Sequence, residues 1–352
     1  MLTGEYAHLY AELQRRMARG GDLSPGPADT AHQFSSGGRW TRERRAVQNT
    51  ILDRFKAEYA DRPRGGHAVL LTAGAPGAGK STAQRNLDEW RHEESELGRR
   101  LSAAHGLDIK DYVVLDPDEF KRALFEAGGL PGLAPEAMTL PAGRTLAPAE
   151  LSGLLHAEAS DIRDRFEAWA RSEGYNLLYD ATLANEPAAA GLLTGLRQDG
   201  YDQRVILSVE VPLDVSLAQN ADRWLTGRLA YEAGKDPYGG RMSPEGMIHA
   251  LYGKATTGQG HSIGRENAQK LADHGLATGL ITTERGSFAR TAPATSAPAQ
   301  AATFQRGETT LGIAAAGKLR STRATATRTA PPAQTTAPTL PRQTPPAPGR
   351  TR

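Results

Sequence analysis

The stretch Gly74-Ala75-Pro76-Gly77-Ala78-Gly79-Lys80-Ser81-Thr82 constrains this chain more than any other. It follows the apolar run His67 to Thr72 and precedes a helical pattern from Thr82 to Trp90. A strand, a glycine-rich loop and a helix start in that order let backbone N–H groups converge on phosphate oxygens. The helix N-terminus adds its positive end. The pattern GxxxxGK[ST] is complete, so residues 74–82 are expected to hold a nucleotide. Lys80 is expected to reach the β- and γ-phosphates, and Ser81 to hold Mg²⁺. A Gly-rich turn of no function would not call for Lys80 and Ser81 at these positions. The absence of an NKxD segment disfavours GTP and leaves ATP as the expected nucleotide.

Further apolar runs recur at Tyr112–Leu115, Asn176–Tyr179, Arg204–Val211 and Leu276–Thr282, separated by helical patterns. Runs of this kind are strands buried on both faces, and their alternation with helices predicts an α/β, doubly wound parallel sheet with flanking helices. Ligands in such folds sit beyond the carboxyl ends of the strands. The domain is expected to span 41–285, with a helix over Val47–Tyr59 opening it. Residues 1–40 read as an extension: a short helix from Tyr6 to Met17, then a Gly/Ser/Pro-rich linker. Residues 286–352 carry nine prolines among Ala, Thr and Gln, and read as a disordered tail.

Charge supports that division. Beyond residue 290 lie eight Lys/Arg against one acid, which leaves 34 basic and 39 acidic residues in 1–290. The body is mildly acidic, so nucleic acid is not an expected partner. No run of eighteen apolar residues is present, and the first residues lack the order of a secretory signal. Cysteine is absent. A cytoplasmic protein without disulfides or thiolate metal sites is expected.

Three acidic points carry the search for a second substrate. Asp116-Pro-Asp118-Glu-Phe-Lys121-Arg122 follows a strand, on the rim expected for the loop at 74–82. A carboxylate there can accept a hydroxyl proton, and Asp118 is the candidate; Lys121 and Arg122 could hold an anionic group. Either aspartate could instead only cap the next helix. A helix from Ala149 to Ser172 presents Glu158 on its apolar stripe with Leu155, Ile162 and Phe166. A carboxylate there needs a partner, which is either a substrate or an arginine of a neighbouring helix. His156 reads as a flanking residue. Asp180 ends a buried strand two residues before Thr182; the pair could bind Mg²⁺ through water or line the acceptor pocket. Arg228 and Arg241 flank a Gly-rich segment and are the candidates for neutralising a transferring phosphoryl group. Arg223 is a third option and reads as facing solvent.

Taken with their order and spacing, APGAGKST, DPDEFK, LHAEAS, YDATL and GGRMSPEGMIH resemble the zeta toxin family over about residues 41–285. The resemblance implies a kinase that phosphorylates the 3′-hydroxyl of UDP-N-acetylglucosamine with ATP and Mg²⁺. It implies that Asp118 is the base, that Glu158, Asp180 and Thr182 line the sugar-nucleotide pocket, and that Arg228 and Arg241 act on the phosphates. It also implies a small antitoxin partner. Asp180 departs from the glutamate that the resemblance leads one to expect. A P-loop kinase with another small molecule or a nucleic-acid end as acceptor, or an ATP-binding regulatory module without acceptor chemistry, are the competing expectations.

Overall fold

The computed structural model describes residues 2–256, 260–286 and 302–315. These residues fall in one unit, Met1–Gly317. The chain opens with α1 (Gly4–Met17), α2 (Thr30–Phe34) and a small antiparallel pair, β1 (Ser35–Ser36) and β2 (Arg39–Trp40). Then come α3 (Arg42–Glu58), β3 (Ala68–Ala73), α4 (Lys80–Arg91), α5 (Glu96–Ala104), β4 (Tyr112–Leu115) and α6 (Pro117–Glu126). They are followed by α7 (His156–Ser172), β5 (Asn176–Tyr179), α8 (Glu186–Gln198), β6 (Gln203–Glu210) and α9 (Leu213–Glu232). The described chain ends with α10 (Glu245–Gly253), α11 (Ile263–Asp273), β7 (Gly279–Arg285), β8 (Ala302–Arg306) and β9 (Thr309–Ala315).

Seven strands form one sheet in the order β4-β5-β3-β6-β7-β9-β8. The first five are parallel; β9 joins β7 antiparallel, and β8 joins β9 antiparallel. This is the expected doubly wound, mostly parallel sheet with flanking helices. Every residue of β3 and β5 is buried, as expected of central strands covered by helices on both faces. One core layer packs Phe55, Phe120 and Phe166 against β3, β4 and β5; the other packs α4 and α5 on the opposite face. Register sets the rim of the site. Leu71 and Leu115 both pair with Tyr179, so Asp116 and Asp180 leave the sheet level with Thr72 of β3.

Several expectations need correction. The helix predicted over 149–172 is broken. Pro148–Leu151 is a 3-10 turn and the α-helix starts at His156. Glu150 caps the Ala147 N–H at 2.8 Å and turns inward to Trp224 and Arg228. The strand predicted over 276–282 runs instead over Gly279–Arg285. Residues 18–39 hold α2 and the β1–β2 pair rather than a bare linker. The tail is not wholly irregular, since β8 and β9 extend the sheet edge with Leu311 and Ile313 buried. The remainder of the predicted disordered tail, 287–301 and 316–352, lies outside the described residues. No helix among the described residues is long and apolar enough to cross a membrane.

Candidate active site

The loop after β3 is shaped by glycine. Gly77 and Gly79 take φ of 83° and 89°. A Cβ on Gly77 would stand 2.3 Å from the Ser216 carbonyl oxygen, so α9 leaves no room for a side chain there. Ser216 also donates its hydroxyl to the Pro76 carbonyl at 2.7 Å, which clamps the loop against α9. Lys80 starts α4; its ammonium donates to the Gly74 carbonyl at 3.2 Å and lies 3.7 Å from Asp180. Ser81 and Thr82 are exposed in the first turn of α4.

Asp180 is fixed by the Thr72 hydroxyl, which donates to it at 2.8 Å, so β3 and β5 position it jointly. Asp116 caps α6 by accepting the Asp118 N–H at 2.9 Å, with Pro117 in the first turn. The cap thereby orients Asp118, whose carboxylate receives Lys121 at 2.9 Å and the Arg241 guanidinium. Arg241 also approaches Asp116 at 4.0 Å. The two carboxyls are driven apart by these surroundings. Burial, then the charges of Asp118 and Asp180, push the Asp116 carboxyl up to about 7. Burial also opposes ionisation of Asp118, but Lys121 and Arg241 outweigh it and hold that carboxyl down at about 2.

These groups face one cleft of about 500 Å³, open beside the P-loop. Lys80, Lys121, Arg223 and Arg241 supply its positive charge, and Asp116, Asp118 and Asp180 its negative charge. Thr182 and His156 also border it. Burial, reinforced by Lys121, lowers the His156 pKa and favours the neutral ring. Across the P-loop, a smaller recess lies between α4 and the β7–β9 edge, lined in part by Asn86, Trp90, Arg285 and Thr309.

Three of the expected site residues stand elsewhere. Glu158 is fully buried outside the cleft. It takes two bonds from Arg44, at 2.7 and 2.6 Å, and one from Gln48 at 2.7 Å. Its partner is the arginine of a neighbouring helix. Arg228, 1 % exposed, pairs with Glu150 at 3.1 Å and Glu232 at 2.9 Å, within the buried stripe Ser216-Asn220-Trp224-Arg228 of α9. Arg122 lies over the Tyr238 ring and bonds Glu126, away from the cleft. Arg223, expected to face solvent, instead borders the cleft with a buried Nε that has no hydrogen-bond partner. The signal was a second face of α9, opened by the spacing Asn220–Arg223. Among the described residues no group of three or more His, Asp or Glu is arranged to hold a metal. An Mg²⁺ ion would therefore fit here only as a hydrated ion arriving with phosphates, beside the exposed Ser81 hydroxyl.

The zeta toxin family profile matches residues 50–256, well over half the chain. No curated protein matches. Among solved structures, a chain from the PezAT chromosomal toxin-antitoxin system of Streptococcus pneumoniae aligns at 14 % identity and TM-score 0.46, covering 70 % of this chain and 80 % of that one. A chain of the AvrRxo1-ORF1:-ORF2 complex aligns at 16 % identity and TM-score 0.46, covering 76 % of each.

Proposed function

The chain belongs to the zeta toxin family, and from that premise we propose that it transfers the γ-phosphoryl group of ATP to a hydroxyl of a sugar nucleotide, UDP-N-acetylglucosamine at its 3′-oxygen. The observation that supports this most is the convergence of Lys80, Asp118, Asp180 and Arg241 on one cleft beside the glycine loop. The loop N–H groups and Lys80 hold the triphosphate. The nucleoside would lie towards the recess between α4 and β9, which flanks the loop on its other side. Mg²⁺, held by Ser81 and the phosphates, would neutralise charge on the β- and γ-oxygens.

In the resting site Arg241 and Lys121 bind Asp118 and make it a weak base. A bound γ-phosphate competes for Arg241. Its departure raises the proton affinity of Asp118 just as an acceptor hydroxyl comes within reach. The hydroxyl oxygen then bonds to the γ-phosphorus, the bond to the β–γ bridging oxygen breaks, ADP leaves, and the proton passes to Asp118. Arg223 and Arg241 offset charge on the transferring group. Asp180 and Thr182 are placed to bond sugar hydroxyls, and Lys121 an acceptor phosphate. Such an activity would drain a cell-wall precursor, which fits a toxin restrained by a small antitoxin.

The test is incubation with ATP, Mg²⁺ and UDP-N-acetylglucosamine, followed by mass spectrometry. The expected product is the acceptor carrying one added phosphoryl group, abolished by Lys80→Ala and Asp118→Asn. Binding of ATP without that product would overturn the acceptor. One observation favours a different acceptor on the same chemistry. Asp180, held back by Thr72, reaches less far than the glutamate suggested by the family resemblance. A screen of hydroxyl acceptors for Lys80-dependent ADP release tests that reading.

A further inference from the structure

The N-terminal segment lies wholly outside the family match, yet it borders the acceptor cleft. Met17, Leu23 and Pro25 stand on the same cleft as Asp118 and Arg241. Nothing in the phosphoryl-transfer scheme requires apolar groups there. The segment is also held at both ends. At one end Arg16, itself buried, bonds Asp22 at 2.6 Å and the carbonyls of Ala137 and Thr139. At the other, the Thr30 N–H donates to the Leu154 carbonyl at 3.0 Å. Between them the chain winds tightly: the Leu23 N–H returns to the Arg16 carbonyl at 3.0 Å. Leu23 packs so closely on the turn before α7 that a Cβ on Gly153 would lie 2.9 Å from its carbonyl oxygen.

The same segment grips the loop that carries Arg241. The Gln14 side chain accepts the Glu245 N–H at 2.8 Å and donates to the Ser243 carbonyl at 3.3 Å. Asn220, which donates to Tyr10 on α1, receives the Ser243 N–H at 2.9 Å. The N-terminal segment therefore shapes the cleft and steadies one of its arginines.

We propose that residues 17–25 are the acceptor-specificity wall of this enzyme. Met17, Leu23 and Pro25, with Met242 and Met247 in the same lining, take an uncharged, apolar part of the acceptor while its hydroxyl meets Asp118. The acceptor is thereby of the class that joins a phosphorylatable hydroxyl to a ring or other apolar moiety. The wall also keeps water from the γ-phosphate. This rests on the kinase reading of the same cleft.

The test uses the full chain with Met17→Ala, Pro25→Asp, and Tyr6→Phe as a control on α1 away from the cleft. Pro25 is exposed, so its replacement leaves the fold intact, which a thermal melt checks. Two readouts are taken: KM for UDP-N-acetylglucosamine, and Lys80-dependent ATP hydrolysis without acceptor, in which water replaces the hydroxyl and its proton goes to Asp118. The expected result is a rise in acceptor KM of about tenfold, the scale of losing small apolar contacts in a pocket, with ATP affinity unchanged and Tyr6→Phe like wild type. Faster acceptor-free hydrolysis in the two wall variants supports the wall even where this sugar nucleotide is not turned over, and then only the acceptor falls. Variants that fold and leave both readouts at the wild-type level overturn the inference, as does a matching loss of ATP affinity.

Discussion

Glu158 offers a direct separation of stability from catalysis. Its carboxylate takes Arg44 in a bidentate pair and Gln48 in a third bond, with side-chain exposures of 8 % for Arg44 and 0 % for Glu158. Arg44 also donates to the Gly129 carbonyl at 2.6 Å and lies over the Phe34 ring. Glu158→Gln keeps the shape and removes the charge, which leaves a buried guanidinium with its other contacts but no counter-ion. Breaking a buried pair in this way costs about 3–5 kcal/mol. For a domain of this size that lowers Tm by about 6 °C or more. Replacing both partners, Arg44→Met with Glu158→Leu, removes the stranded charge and recovers most of the loss. Thermal denaturation of wild type, Arg44→Met, Glu158→Leu and the pair gives the coupling energy. Acceptor KM, measured well below each Tm, stays at the wild-type value. A Glu158→Gln protein that melts like wild type but needs far more acceptor would refute the reasoning and return Glu158 to the pocket.

The arginines sort by the same logic. Arg223→Ala and Arg241→Ala are expected to cut turnover about a hundredfold or more with little change in Tm. Arg228→Ala instead strands the buried Glu150 and lowers Tm, with kcat of the folded protein unchanged; steady-state kinetics beside a melting curve distinguishes them. Asp118→Asn is expected to lower kcat by about 10²–10⁴-fold with ATP binding retained, as read by nucleotide titration. Asp116 carries a pH signature. Its folded pKa, about 7, lies well above the ordinary carboxylate range, so its contribution to stability is full below that range and is lost as pH rises through 7. Asp116→Asn keeps the helix cap without the titration. The Tm of Asp116→Asn relative to wild type is therefore expected to climb between pH 4 and pH 7 and to level off above, as melts across that range would show.

The parts of this molecule that sequence revealed are those whose chemistry is local. A phosphate cradle needs its glycines and Lys80 within nine residues, and a doubly buried strand must be apolar throughout, so the acids at 116, 118 and 180 could be placed at strand ends. Glu158 could not be settled that way. A carboxylate on an apolar stripe demands a partner, but the pattern is identical whether the partner is a ligand or Arg44, which lies on α3 and outside any local window. Arg223 and Arg228 share α9, and the buried Trp224–Arg228 continuity drew attention to the wrong one, since the cleft meets the neighbouring face. The β8–β9 pair was hidden by its Ala/Thr-rich setting, although Leu311 and Ile313 alternate as a half-buried strand should. Residues 18–29 have the composition of a linker. They are pinned at their flanks, where Arg16 bonds the Thr139 carbonyl and Thr30 the Leu154 carbonyl, each more than a hundred positions away, which composition does not register.

The cleft's charges suggest why its base is held in check. Four cations face three carboxylates, so without nucleotide nearly every charge has a counterpart, and Asp118 has two. A triphosphate adds negative charge that only these cations can offset, and Arg241, the most accessible of Asp118's partners, is the one that can turn to it. Proton abstraction then becomes competent only when there is a phosphoryl group to transfer. Without Arg241, Asp118 would keep only Lys121 as a direct counter-charge, beside the carboxyls of Asp116 and Asp180 on the same cleft. The Arg241 pair keeps it ionised until the substrate that needs it takes the arginine away.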